Sequence, residues 1–370
     1  MKRFAFYTPS GDTLVRFRLE LIRSLIKLDY EVHVLISECK EEFYEILVSE
    51  GVIIHQTNLK RKSINLFQTF QSILEAKKIL REINPTHVFS YLHKGVVVGS
   101  IAAKMAGIRN IISLITGTGH VFDNKTFKQK IARFLGLNGF KLGLYFSNKV
   151  IFQNPDNLNL FLDLNLVTVG KTSIVNGSGV DMELFGQSPL PDEPIFMCLS
   201  RLIYSKGLLE YAQAAKIVKE EFPNSRFLLY GIPDKHYDSI PEEEIINTWQ
   251  DKFGIEYLGY AHSPQDALKD CSVYVLLSYN EGTPRSVLEA LSVGRAIVTT
   301  DTSGCRETVI DGSNGFLVEV GNHNEAAEAM KKLIDPSLRM KMAYASKELC
   351  KIKYDVHLVN AQILKEIGIL

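Results

Sequence analysis

Residues Cys271-Ser-Val-Tyr-Val-Leu-Leu277 form a short apolar, β-branched run that leads directly into Ser278-Tyr-Asn-Glu-Gly-Thr-Pro-Arg-Ser-Val-Leu-Glu-Ala-Leu291. The first run suits a strand buried on both faces of a parallel sheet. In the second, Val287, Leu288, Ala290 and Leu291 recur at helical spacing. The Gly-Thr-Pro turn therefore lies between the carboxyl end of a strand and the start of a helix, the repeating unit of a doubly wound α/β sheet. Proline suits a first helical turn, and the amide N–H groups there, with the helix dipole, favour an anion such as a diphosphate. Glu281 and Glu289 stand eight residues apart, one in the turn and one in the helix. Two carboxylates directed into one crevice accept hydrogen bonds from sugar hydroxyls. The pattern outlines a nucleotide-sugar site.

At 370 residues the chain is too long for one ordinary core and fits two domains. An apolar content of 46% with 23% charged residues is that of a soluble globular protein. Met1-Lys-Arg passes at once into a strand-like Phe4-Ala-Phe-Tyr, which is not a signal peptide. Gly95 to Ala103, the longest uncharged apolar run in the first half, has nine residues and is too short to span a bilayer. Five cysteines with no CxxC spacing point to reduced thiols and away from zinc. The net charge of zero conceals a split, with 23 Lys/Arg against 14 Asp/Glu in residues 1–180 and 19 against 28 in the remainder. The basic half suits anionic lipid or phosphate, with nucleic acid as the competing reading.

The first half alternates strands and helices. Phe4–Tyr7 is a strand, Thr8–Thr13 a turn, Leu14 to Leu28 a helix and Glu31–Ser37 a second strand. Gly11 either lets a phosphate approach the backbone or belongs to a plain strand-to-helix loop. Further helices are expected over Glu41–Glu50 and Leu66–Arg81, and strands over Val52–His55, His87–Ser90, Asn110–Ile115 and Lys149–Asn154, the last closing the first domain. His93 and Lys94 follow a strand, where the histidine binds an acceptor phosphate or caps the next helix. Asn124 to Lys149 interleaves Lys125, Lys128, Lys130, Arg133, Lys141 and Lys149 with Phe127, Phe134, Phe140, Leu142, Leu144 and Tyr145. A broken amphipathic helix of that composition suits contact with an anionic membrane; a helix packed on the core is the alternative. No nucleic-acid-binding module accompanies the charge.

In the second half Gln187 to Pro194 reads as a linker and Ile195–Leu199 as a strand. Arg201 and Lys206 follow that strand in Leu199-Ser-Arg-Leu-Ile-Tyr-Ser-Lys-Gly207, two fixed cations able to hold a diphosphate and offset charge growing on a leaving group. Downstream stand Asp301-Thr-Ser-Gly-Cys-Arg-Glu-Thr-Val309 and Asp311-Gly-Ser-Asn-Gly-Phe-Leu-Val318.

The stretch from Ser278 to Leu291, with these segments in order around it, resembles the Glu-x7-Glu signature of retaining glycosyltransferases of family 4. The resemblance is strong over residues 174–320 and looser before them. It implies a GT-B fold, α/β throughout, of two facing Rossmann-like doubly wound domains with an interdomain cleft. The expected boundaries are 1–186, an acceptor-binding domain joined by the C-terminal helix of about 354–370, and 187–353, a nucleotide-sugar domain. Thr116-Gly-Thr-Gly-His-Val-Phe122 is similar to the Gly-x-Gly loop of members that extend polyprenyl-diphosphate-linked sugars, and His120 is the nearest candidate for a histidine lining the reacting sugar. The resemblance implies that Glu281 contacts donor sugar hydroxyls and Glu289 the ribose. Leu258, Gly259 and Tyr260 would seat the nucleobase, and Gly282, Thr283, Pro284, Ser286 and Val287 would lie against the phosphates and sugar. Arg285 reads either the sugar or an acceptor phosphate.

The expected activity is metal-independent, retaining transfer of a hexose or N-acetylhexosamine from a UDP-sugar, UDP-GalNAc favoured, to a lipid-diphosphate-linked saccharide. It would take place at the inner face of the cytoplasmic membrane, with no cofactor beyond the donor and no nucleic-acid partner. The alternatives are a relative using UDP-Gal, UDP-Glc or UDP-GlcNAc with a soluble acceptor, and a non-catalytic UDP-binding scaffold. A glycosidase also carries two carboxylates, but hydrolysis leaves Arg201, Lys206 and the anion site without purpose.

Overall fold

The computed structural model describes residues 1–59, 65–117, 127–234 and 239–370, with side chains in the helix Phe127–Phe146 from residue 135 onward. The chain divides into two units, Met1–Ser178 with Val359–Leu370, and Gly179–Leu358.

The first unit is built on a seven-stranded parallel sheet of β1 (Lys2–Tyr7), β2 (Tyr30–Ile36), β3 (Ile53–Gln56), β4 (His87–Tyr91), β5 (Asn110–Ile115), β6 (Lys149–Phe152) and β7 (Thr172–Ile174). Their order is β3-β2-β1-β4-β5-β6-β7. The central strands are apolar on both faces because helices cover both, and Phe4, Phe6, Val34, Val88 and Phe89 are all fully buried. Each such side chain contributes roughly 1.5–3 kcal/mol on leaving water. The C-terminal helix Val356–Glu366 adds Val359, Ile363 and Leu364 to this core, and Lys149 in β6 pairs with Glu366.

The second unit repeats the plan with β8 (Ile195–Leu199), β9 (Arg226–Tyr230), β10 (Glu256–Tyr257), β11 (Val273–Leu276), β12 (Ala296–Thr300) and β13 (Gly315–Val318). The order is β10-β9-β8-β11-β12-β13, all parallel. The chain winds outward from β8 in one direction and from β11 in the other. That reversal opens a crevice at the carboxyl ends of β8 and β11.

Several expectations are corrected. The sheet of the first unit ends on β7, not on Lys149–Asn154, because Val150, Ile151 and Phe152 pair onward with Thr172, Ser173 and Ile174. The segment after Gln187 is anchored to the second unit by fully buried Arg295. Its Nε donates to Leu268 O (3.0 Å), and its Nη groups donate to the Ser188 and Pro189 carbonyls at 3.3 and 3.2 Å. The units divide at residues 178/179 and 358/359 rather than at 186/187 and 353/354. Val180 already bonds Tyr354 and Val356 through the backbone, and Phe185 packs in the second core. Leu92 is the cap of the helix His93–Ala106, and His93 is its first residue, at the helix start that the second of its two readings gave. The helix Phe127–Phe146 is continuous, and Phe140 and Leu144 are buried against Val96, Val97 and Phe161, so neither reaches a membrane. Leu142 and Tyr145 on that helix are exposed.

Candidate active site in the second unit

Three loops converge at the crevice, those following β8, β11 and β12. The loop after β8 passes through a single turn, Tyr204–Lys206, before the helix Leu208–Glu221. Gly207 ends that turn with φ +66°, and a Cβ there would lie 2.0 Å from Leu277 O. Only glycine brings Lys206 this close to the loop after β11. The backbone N–H of Tyr279 donates to Ser205 O (3.0 Å), tying the two loops directly. From the other side, the N–H of Glu281 donates to Ser303 O (3.0 Å). Gly304, at φ +78°, sits where a Cβ would fall 2.6 Å from Glu281 O and 2.5 Å from Gly282 O. The peptide carrying Glu281 is thus wedged between its two neighbours.

Side chains then pair across the loops. Lys206 Nζ donates to Glu281 Oε1, and the Ser278 hydroxyl donates to the same oxygen at 2.8 Å. Both ionic partners are about 15% exposed, which strengthens the pair over a surface one. Arg201 donates through Nη1 to Asp234 at 2.7 Å and remains half open to solvent. Glu289 is held by Arg285 one helical turn away, Nε to Oε1 at 2.9 Å. Arg285 also donates to the Gly179 carbonyl and lies over the Phe185 ring, which directs it into the protein. Burial pushes the thiols of Cys198 and Cys305 up to about 12, so neither is a nucleophile at neutral pH.

Pro284 stands one residue before the helix, not in its first turn. Its φ of −70° still sets the entry, and its carbonyl accepts the N–H groups of Val287 (3.1 Å) and Leu288 (3.3 Å). Gly282 and Thr283 form the bend before Pro284, and Arg285 and Ser286 are the first two residues of the helix Arg285–Val293. Leu258 and Tyr260, after β10, are 44% and 43% exposed, and Gly259 between them has φ +69° and accepts the Gly231 N–H at 2.8 Å.

Of the candidates from the first unit, Gly11 is explained by the protein itself. A Cβ there would meet Cys39 Sγ at 2.5 Å, so packing alone demands glycine and no approaching phosphate is needed. His120 lies outside the described residues. Among the described residues, no three His, Cys, Asp or Glu side chains are grouped to hold a metal ion.

Two partners of the candidate residues escaped sequence reasoning. Ser278 was the first residue of the quoted stretch, yet nothing local marks it as a carboxylate partner. Asp234 follows Gly231-Ile-Pro at the carboxyl end of β9, and that position at a strand end was the available signal.

Comparison with known proteins agrees with this architecture. Residues 181–349 match the family model of glycosyl transferases group 1, and residues 6–154 that of glycosyl transferase 4-like proteins. The chain is 27% identical to N,N'-diacetylbacillosaminyl-diphospho-undecaprenol alpha-1,3-N-acetylgalactosaminyltransferase of Campylobacter jejuni, over 98% of this chain and 97% of that protein. It is 23% identical to the UDP-Gal:alpha-D-GlcNAc-diphosphoundecaprenol alpha-1,3-galactosyltransferase of Escherichia coli, over 74% of this chain and 73% of that one. The Anabaena protein HepE, solved with UDP and glucose, shares the fold at a TM-score of 0.80 and 16% identity, with both chains fully covered. Two parallel Rossmann-like sheets, the crevice at the β8–β11 reversal and both family matches lead to one conclusion: the chain belongs to the group 1, family 4-like glycosyl transferases and is a glycosyltransferase of GT-B fold.

Proposed function

We propose that the chain transfers a hexose or N-acetylhexosamine, N-acetylgalactosamine in first place, from a UDP-sugar to a lipid-diphosphate-linked saccharide, with retention and without a metal. The observation that carries this reading is the triad Lys206–Glu281–Ser278, which joins the loop after β8, where Arg201 also stands, to the loop that leads into the helix Arg285–Val293. It combines an anion site with a carboxylate acceptor for sugar hydroxyls. The two transferases named above act on undecaprenyl-diphosphate-linked acceptors, and HepE was solved with UDP, which supports the donor and acceptor classes.

In the proposed reaction the acceptor hydroxyl attacks the anomeric carbon on the face that UDP leaves. The carbon–oxygen bond to the β-phosphate breaks, the new glycosidic bond forms, and the hydroxyl proton passes to the departing β-phosphate. Lys206 and Arg201 exchange Glu281 and Asp234 for the diphosphate and offset its growing charge. Glu281, so released, accepts hydrogen bonds from the sugar hydroxyls. Glu289 holds the ribose, Leu258, Gly259 and Tyr260 seat the base, and the backbone of Gly282 to Val287 cradles phosphates and sugar. The buried contacts of Arg285 favour a positioning role, holding Glu289. No helix among the described residues is long and apolar enough to cross a membrane. In this reading the chain meets such an acceptor by peripheral contact at the cytoplasmic face.

The test is UDP release from a panel of UDP- and GDP-sugars, with and without a short prenyl-diphosphate-linked sugar. Release from one UDP-sugar that needs the lipid acceptor and vanishes in Glu281→Ala is the expected result. Binding without release from any donor overturns the catalytic reading.

A further inference from the structure

The helix Leu66–Ile83 in the first unit exposes a face that its sheet does not need. Ile73, Ala76, Leu80 and Ile83 are buried against the core. On the flank beside that buried row Leu66, Phe67, Phe70 and Leu74 are 63%, 68%, 54% and 41% exposed. At 3.6 residues per turn these four share one stripe, and Lys77, Lys78 and Arg81 prolong it over the next two turns. The display is fixed, because Asn65 caps the helix, its Oδ1 accepting from the N–H groups of Phe67 (2.9 Å) and Gln68 (3.3 Å).

We propose that this stripe docks the protein on an anionic phospholipid surface, the phenylalanines and leucines entering the headgroup boundary and Lys77, Lys78 and Arg81 meeting lipid phosphates. Apolar rings followed by cations on one helical face have that chemistry. The unit that carries the stripe is basic, with 23 Lys/Arg against 14 Asp/Glu over residues 1–180. A second copy of the same face would bring rings and cations but no carboxylate on the stripe to meet the lysines. The surface differs from the expected Asn124–Lys149 contact, where Phe140 and Leu144 face the core. Its purpose rests on the lipid-acceptor reading, but lipid binding itself is measurable without any substrate.

The experiment is flotation of the full chain with vesicles of phosphatidylcholine alone or mixed three to one with phosphatidylglycerol, no nucleotide present. The expected result is recovery with the anionic vesicles only. Phe67→Ser with Phe70→Ser lowers that recovery at least tenfold, and Lys77→Glu with Lys78→Glu removes the preference for phosphatidylglycerol. UDP affinity stays within about twofold in both variants, a check that they fold. Undiminished vesicle recovery of the Phe67/Phe70 variant overturns the proposal. So does concentration-dependent dimerisation of the parent chain that the same substitutions abolish without any lipid binding. Failure of every lipid-linked acceptor to support transfer, with vesicle binding intact, overturns the acceptor reading and leaves this surface standing.

Discussion

One carboxylate oxygen of Glu281 accepts both the ammonium of Lys206, 75 residues earlier in the chain, and the hydroxyl of Ser278. On the proposed reading, the cation for the phosphate is thus stored on the carboxylate for the sugar. Lys206→Met removes the phosphate partner and leaves Glu281 with an uncompensated charge. We expect transfer to fall about a hundredfold to a thousandfold in kcat, the usual scale for losing one preorganised electrostatic group. Glu281→Gln keeps the side-chain shape and the Ser278 contact, and its loss of activity separates charge from packing. Steady-state UDP release measures both; near-normal turnover in Lys206→Met would sink the assignment.

On the same reading, Asp234 competes with phosphate for Arg201. Replacing it by Asn frees the guanidinium, and UDP affinity is expected to tighten by up to about fivefold, the worth of a partly exposed ion pair. The gain should shrink as salt rises, since the pair is open to solvent. Calorimetric titration of UDP at two ionic strengths reads this, and weaker binding in Asp234→Asn would instead assign Asp234 a direct contact with the ligand.

Gly304→Ala tests the wedge behind the Glu281 peptide. Alanine at φ +78° costs about 1–3 kcal/mol from backbone strain, before the contact with Gly282 O is relieved. Urea denaturation should show that loss, and activity should fall further than stability because the Glu281 loop is displaced. A variant as stable and active as the parent would mean that the loop moves freely.

The stability of the first unit should depend on pH through His93. Burial pushes its imidazole from 6.5 down to about 4, with its ring edge-on to Phe140 at 4.2 Å. A base depressed in the folded state is protonated first in the unfolded chain. Stability is therefore complete above pH 6.5 and declines as pH falls toward 4, by up to about 3 kcal/mol in all. His55 and His87, also lowered by burial, act in the same direction. His93→Gln should make the decline shallower between pH 6.5 and 4, as read by denaturation at each pH; an unchanged slope would refute the account.

The strand–turn–helix from Val273 to Val293 was legible because its information is local. β-branched residues at a strand, Pro284 at a helix entry and apolar residues every third or fourth position act within one or two turns. The same holds for the strands at Lys2–Tyr7 and Tyr30–Ile36, whose ends lie only a residue or two from the sequence reading. Thr172–Ile174 was missed as a strand because three half-buried residues carry too little periodicity to stand out. For Phe140 and Leu144 the sequence leaves membrane contact and core packing open, because aromatic and basic residues on a helix look alike whether the apolar side meets lipid or another helix.

The sequence by itself determined which residues form strands and helices, where glycine and proline turn the chain, and which cations and carboxylates stand at strand ends. Tertiary structure alone decided their partners. Lys206 meets Glu281 because β8 and β11 are neighbours, Arg201 meets Asp234 because β9 flanks β8, and Arg295 pins Ser188 from over 100 residues away. Propensity and periodicity act over one or two turns of chain. Strand order is set by how whole helices and sheets bury their apolar faces, and a single position in the sequence holds no record of it.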